Sequence, residues 1–213
     1  MVQAVIWDFG GVLTTSPFEA FNRFEAERGL PADFIRKVNS TNPDTNAWAL
    51  FERSDITLDE FDEMFAKEAT ALGGGVTGRE VVALLSGDIR PEMVTALKHC
   101  KEKFIVGCIT NNVSAGEGAG MARSTEKAAA VADVMTLFDH VIESSKIGIR
   151  KPDPRIYEMA CETLGVKASQ SVYLDDLGIN LKPAKALGMT TIKVLTAEQA
   201  LKDLEAAVGF SLR

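Results

Sequence analysis

The chain has 213 residues, 46% hydrophobic and 25% charged, enough for one sizeable core or a core with a smaller insert. Its formal net charge of -7 argues against nucleic acid as a partner, since a phosphate backbone needs a basic face, but leaves room for a small phosphorylated molecule. No apolar run is long enough to span a bilayer, so no membrane partner is expected.

The first predicted strand is AVIWDF (4–9), a continuously apolar run that ends in Asp8 and passes into Gly10 and Gly11. Residues 17–90 are then helical throughout, with no strand pattern. Asp59 and Glu60 lie early in one of these helices, after Thr57 as its N-cap. The aromatic residues here predict a core of their own, with one or two lining a pocket. DEFDEMF reads as a solvated helix face rather than a metal site, and a glycine run stands at Gly73–Gly75.

Four further apolar runs follow: FIVGCIT (104–110), HVIES (140–144), SVYLD (171–175) and TTIKVL (190–195). Helical composition starts at Arg123, Pro154, Leu181 and Ala197. Pro154 suits a helix start, and Gly165 and Gly188 suit helix ends. Uninterrupted apolar strands alternating with helices predict an α/β fold, a doubly wound parallel sheet. The expected domains are a core of 1–16 and 91–213 with a helical cap of 17–90. AGEGAG (115–120) has the wrong spacing for a dinucleotide fingerprint and reads as a loop. Cys100, Cys108 and Cys161 form no CxxC pair, and the first residues carry no charged n-region, so free thiols and a cytoplasmic location are expected. His99 and His140 have no motif around them and are expected to be structural.

In such sheets the reactive crevice lies beyond the carboxyl ends of the strands. Those ends carry Asp8, Thr110 with Asn111, and Asp175 with Asp176, while the loop after the third strand carries Lys151. Lys151 precedes Pro152 and is expected in an extended loop. Clustered carboxylates suit a hard cation such as Mg²⁺. A carboxylate attacking a phosphate monoester needs that cation and a lysine to offset charge, and a hydroxyl with backbone N–H groups to hold the phosphoryl oxygens.

DFGGVL, CITNN, GIRKPDPRIY and VYLDDLGINLKPAKALGM resemble, in order and spacing, the four motifs of the haloacid dehalogenase (HAD) superfamily, with 17–90 where that family has its C1 cap. The last two motifs and TTIKVLTAEQALKDLE are similar to the N-terminal phosphatase domain of soluble epoxide hydrolase and to the N-terminal domains of certain acyl-CoA dehydrogenase fusions. The resemblance implies Asp8 as nucleophile and metal ligand, Thr110 and Asn111 as phosphate-binding pair, and Lys151 as the neutralising lysine. It implies Asp176 as a Mg²⁺ ligand, Asp175 as a further ligand or the partner orienting Lys151, and Asn180 behind them. Epoxide hydrolysis is not expected of these 213 residues.

The family usually has a second acid two residues after the nucleophile, where this chain has Gly10. A backbone carbonyl can still bind the metal there, but the general acid/base is missing, a group worth about 10²–10⁴ in rate. Three readings follow. The first is a Mg²⁺-dependent phosphatase whose leaving group needs no protonation, or whose cap or substrate supplies the acid. The second is a binding or regulatory protein for a phosphorylated ligand. The third is another HAD chemistry, phosphonate cleavage or dehalogenation.

Overall fold

The computed structural model describes residues 1–114 and 125–212. Five runs form one parallel sheet: β1 (Ala4–Trp7), β2 (Ile105–Thr110), β3 (His140–Glu143), β4 (Ser171–Asp175) and β5 (Thr190–Lys193), in the order β3-β2-β1-β4-β5. The chain builds outward from β1 on one side, returns, and builds outward on the other, which is the doubly wound α/β sheet the sequence predicts. Alternation along each strand splits the apolar residues between two faces. Val5, Trp7, Val106, Cys108, Val172 and Leu174 pack under α6 (Pro91–Lys101), α7 (Thr125–Met135) and α11 (Ala197–Val208). Ala4, Ile6, Ile109 and Tyr173 pack under α9 (Pro154–Leu164) and α10 (Gly178–Ala186). A short helix, α8 (Ser144–Ile147), follows β3 directly.

The helices α1 (Pro17–Glu27), α2 (Phe34–Ser40), α3 (Ala47–Glu52), α4 (Leu58–Ala71) and α5 (Gly78–Val82) lie between β1 and α6. They bury a separate cluster that includes Phe21, Phe34, Phe51, Phe61 and Phe65, with Phe51 and Phe61 stacked at 4.4 Å between ring centroids. The two chain segments that lead in and out pair with each other: Arg90 N–H donates to Leu13 O, and Thr15 N–H to Asp88 O, both at 2.8 Å.

Local signals set the helix ends. Thr57 and Glu60 form a reciprocal capping box at the start of α4. Asp153 accepts from Arg155 N–H ahead of Pro154, and Gly165 ends α9 at φ +66. Several boundaries differ from expectation: β2 starts at Ile105, β3 ends at Glu143 and β5 ends at Lys193. β1 stops at Trp7, because Phe9 N–H turns back onto Asp8 Oδ1 at 2.7 Å and Phe9 O accepts from Leu13 N–H. α10 starts at Gly178 rather than Leu181, because Asp175 Oδ1 accepts from Leu177 N–H at 2.8 Å and turns the chain straight into the helix. AGEGAG and Arg123 lie outside the described residues.

The acids of DEFDEMF stay on the surface, where Asp59 and Asp62 pair with Arg79. His99 Nδ1 lies 3.0 Å from Leu212 O, and His140 is exposed. All three cysteines are free, and burial pushes the Cys100 thiol up to about 12 and Cys108 upward as well, so neither is a thiolate at neutral pH. Among the described residues, no helix is long and apolar enough to cross a membrane.

Candidate active site

The strand register brings the carboxylates together. Trp7 lies opposite Leu174, so the next residues, Asp8 and Asp175, leave the sheet side by side, with Asp8 N–H bonded to Leu174 O at 2.8 Å. Asp176 follows at once. One ligand oxygen from each of Asp8, Asp175 and Asp176 lies within 4.8 Å of the others, the one such group of acids and imidazoles or thiols among the described residues. Gly11 makes this approach possible. Its φ of +75 favours glycine, and a Cβ there would sit 2.2 Å from Asp176 Oδ2. At Gly10 a Cβ would meet nothing within 4 Å, and its φ is not in the left-handed region.

Lys151, 1% exposed, reaches the cluster from a turn rather than an extended loop, and its peptide bond to Pro152 is cis. Its Nζ lies 2.7 Å from Asp8 Oδ1 and donates to Asp175 Oδ2 at 2.9 Å. Burial pulls the ammonium's pKa down, but Asp175 and Asp8 more than offset this, so it stays charged. Burial pushes Asp8 well above the usual carboxylate range; Lys151 opposes that and the two neighbouring acids add to it. Asp176 is pushed up to about 6, chiefly by burial and then by Asp175.

Asp175 is fully buried and densely bonded. Its Oδ2 accepts from Lys151 and from Tyr173 Oη at 2.5 Å, and both its oxygens accept from Asn180 Nδ2 at 3.1 Å. Asn180 O in turn accepts from Tyr157 Oη at 2.7 Å. Three carboxylates against one ammonium leave two negative charges, which suits a divalent cation held by oxygen ligands. Asp8, Asp176 and the Gly10 carbonyl have the right donor chemistry, whereas Asp175 is already held as the partner of Lys151.

Thr110 closes β2, 3% exposed, beside Asn111. The Asn111 side chain ties the loops together: Oδ1 accepts from Lys151 N–H at 2.8 Å, while Nδ2 donates to Lys151 O at 3.1 Å and to Glu52 Oε2 at 3.2 Å. Glu52 comes from α3 and is ion-paired with Arg150, whose Nε is 2.6 Å away but not aligned for a hydrogen bond. A cavity of about 470 Å³ opens between sheet edge and helices. Asp8, Gly10, Thr110, Asn111, Lys151 and Asp176 form its floor, and Phe18, Phe21, Trp48, Leu85 and Val113 supply apolar wall.

The structure therefore brings together the candidate site residues Asp8, Gly10, Thr110, Asn111, Lys151, Asp175, Asp176 and Asn180. Sequence reasoning missed Tyr173, Glu52 and Arg150. Tyr173 was findable, since it lies two residues before Asp175 and points to the same face of the strand. Glu52 and Arg150 carried no such signal, because their meeting depends on how the helices dock.

An acid cluster with a buried lysine, at the carboxyl edge of a doubly wound sheet and under a helical insert, defines a hydrolase of the HAD type. The haloacid dehalogenase-like hydrolase family model matches residues 2–188, and the chain belongs to that family. It is 34% identical over 216 residues to mouse acyl-CoA dehydrogenase family member 10, covering 99% of this chain and 19% of that one. It is 30% identical over 219 residues to mouse bifunctional epoxide hydrolase 2, covering 98% of this chain and 39% of that one. The chain thus spans well under half the length of these two relatives. It is also 30% identical to phosphatase MT3486 of Mycobacterium tuberculosis (strain CDC 1551 / Oshkosh), covering 95% and 94% of the two chains. Among solved structures, a HAD family enzyme from Bacteroides thetaiotaomicron, in complex with magnesium and inorganic phosphate, is similar in fold, with TM-score 0.59 and 20% identity over 91% and 94% of the chains.

Proposed function

We propose that the protein is a Mg²⁺-dependent phosphatase, hydrolysing a small phosphate monoester through an aspartyl-phosphate on Asp8, with residues 17–90 as a cap over the site. One observation carries this reading: Asp8, Asp176 and Lys151 meet on the floor of a cavity that Thr110 also lines. Lys151 and Phe9 N–H both engage Asp8 Oδ1, which leaves Oδ2 to attack phosphorus. Lys151 offsets the charge that builds on the phosphoryl group, and Asp175, braced by Tyr173 and Asn180, holds Lys151 in place. The Thr110 hydroxyl and the main chain at Asn111 hold the phosphoryl oxygens, since the Asn111 amide is committed to Lys151 and Glu52. When bound by Asp8, Asp176 and the Gly10 carbonyl, Mg²⁺ supplies charge neutralisation for an anion attacking an anion. The apolar wall from Phe18, Trp48 and Leu85 favours a substrate with an apolar body over a polar sugar. The phosphatase reading of MT3486 is in keeping with this.

The test is a panel of phosphate monoesters, aryl, alkyl, prenyl and sugar, assayed with Mg²⁺ and with EDTA. The expected result is Mg²⁺-dependent release of phosphate that falls at least 10³-fold in Asp8→Asn, with prenyl or long-chain alkyl esters preferred over sugar phosphates. Binding without turnover would overturn the enzyme reading in favour of a phosphoryl-ligand binding protein, and turnover intact in Asp8→Asn would overturn the assignment of Asp8.

A further inference from the structure

The proposed transfer has no acid at Gly10 to protonate the departing oxygen. We propose that Glu52, at the end of α3, is that acid and base, delivered from the cap rather than from the first strand. This rests on the phosphatase reading above.

Four carboxylates line the cavity: Asp8, Asp44, Glu52 and Asp176. Asp8 and Asp176 belong to the cation cluster, and Asp44 is exposed. Glu52 is 6% exposed and is registered to the phosphate loop by a single side chain, since Asn111 bonds both to Glu52 Oε2 and to the main chain of Lys151. The charged groups facing it are Arg150, ion-paired at 2.6 Å, and Lys151 from the same loop; the Trp48 indole lies beside it on its own helix. Burial raises the Glu52 carboxyl's pKa and Arg150 opposes the rise, with a net shift upward that favours a proton-holding group.

The step balances without a further reactant. As the bond from Asp8 Oδ2 to phosphorus forms and the ester P–O bond breaks, the ester oxygen keeps the bonding pair and takes the proton from Glu52. Water then attacks phosphorus, gives its proton to Glu52, and the bond to Asp8 breaks to release phosphate. The competing role is purely structural: Glu52 and Arg150 would form a latch between cap and core.

The experiment compares kcat/KM for an alkyl and an aryl phosphate in wild type, Glu52→Gln, Arg150→Met and Glu52→Gln with Gly10→Asp. An aryl leaving group departs without a proton, so Glu52→Gln lowers the alkyl-to-aryl ratio by about a hundredfold. Gly10→Asp, for which the backbone leaves room, restores that ratio by tenfold or more in the Glu52→Gln background. Arg150→Met breaks the latch but keeps the acid, so it leaves the ratio within about threefold of wild type. If Glu52→Gln and Arg150→Met lower both substrates in equal proportion, Glu52 is a latch and this inference is overturned, whatever Gly10→Asp does, while the phosphatase stands. If wild type hydrolyses neither ester with Mg²⁺ present, both fall. Thermal melts of all variants identify any that fail to fold, and for Glu52→Gln in that case Glu52→Asp, a shortened acid, takes its place with the same expected direction.

Discussion

A Cβ added at Gly11 would lie 2.2 Å from Asp176 Oδ2, on a backbone at φ +75, whereas one added at Gly10 would meet nothing within 4 Å. The adjacent glycines in DFGGVL therefore answer to different constraints. Gly11 is required by the fold of the site, because a side chain there would displace a proposed metal ligand. Gly10 is not, so the absence of an acid at that position is a matter of chemistry. Gly11→Ala is expected to weaken apparent Mg²⁺ affinity at least tenfold by titration calorimetry. It should also lower unfolding free energy by about 1–2 kcal/mol, the cost of holding a side chain in the left-handed region. Gly10→Ala, measured in the same way, should change stability by less than about 0.5 kcal/mol. Equal losses at both positions would contradict the contrast. The sequence could not separate the two, since the distinction depends on where Asp176, 165 positions further along, returns to touch the loop.

At the scale of elements, the sheet was legible because its central strands β1, β2 and β4 are covered on both faces. Five apolar runs of five to seven residues needed no alternation to be recognised, and turn or helix signals bounded them. Helix starts were legible where a side chain caps its own backbone, as Thr57 does for α4. Thr57→Ala should lower stability by about 1 kcal/mol in urea unfolding. The loss should appear first as faster hydrogen exchange in the first turn of α4, with the sheet unaffected. An unchanged exchange rate there would mean that packing of Phe61 and Phe65, rather than the cap, fixes the helix. Less legible was a path set from far away: the course of Lys151 depends on Asn111 from another loop. The start of α10, by contrast, is set locally, by Asp175 accepting from Leu177 N–H. What the inserted helices contribute to the cavity, Glu52 above all, was not legible, because helix periodicity says which face is apolar but not which residue of the rim meets the core.

Across the whole molecule, the core supplies an excess of buried negative charge and the net charge of -7 adds to it. Without a cation, Asp8 and Asp176 are both raised, Asp176 to about 6 by burial and Asp175. A carboxyl whose folded-state pKa is raised binds more protons in the folded than in the unfolded protein. Its stabilising contribution is therefore complete below its unfolded value near 4 and is lost as pH rises through about 6. A divalent cation bound there, as proposed, would require these groups ionised, so Mg²⁺ and protons would compete for one site. The increase in melting temperature on adding Mg²⁺ should thus be small at pH 5, grow through about 6 and level off above 7. At a Mg²⁺ concentration about a hundredfold above its Kd, mass action gives about 2.7 kcal/mol, or roughly 5–10 °C for a chain of this size. Comparing melts with Mg²⁺ and with EDTA at each pH cancels the other acids, which titrate in both. In Asp176→Asn the Mg²⁺ effect should nearly vanish at every pH. A shift of the same size at pH 5 and pH 8 would show that the cation binds somewhere other than the acid cluster at the end of β1 and β4.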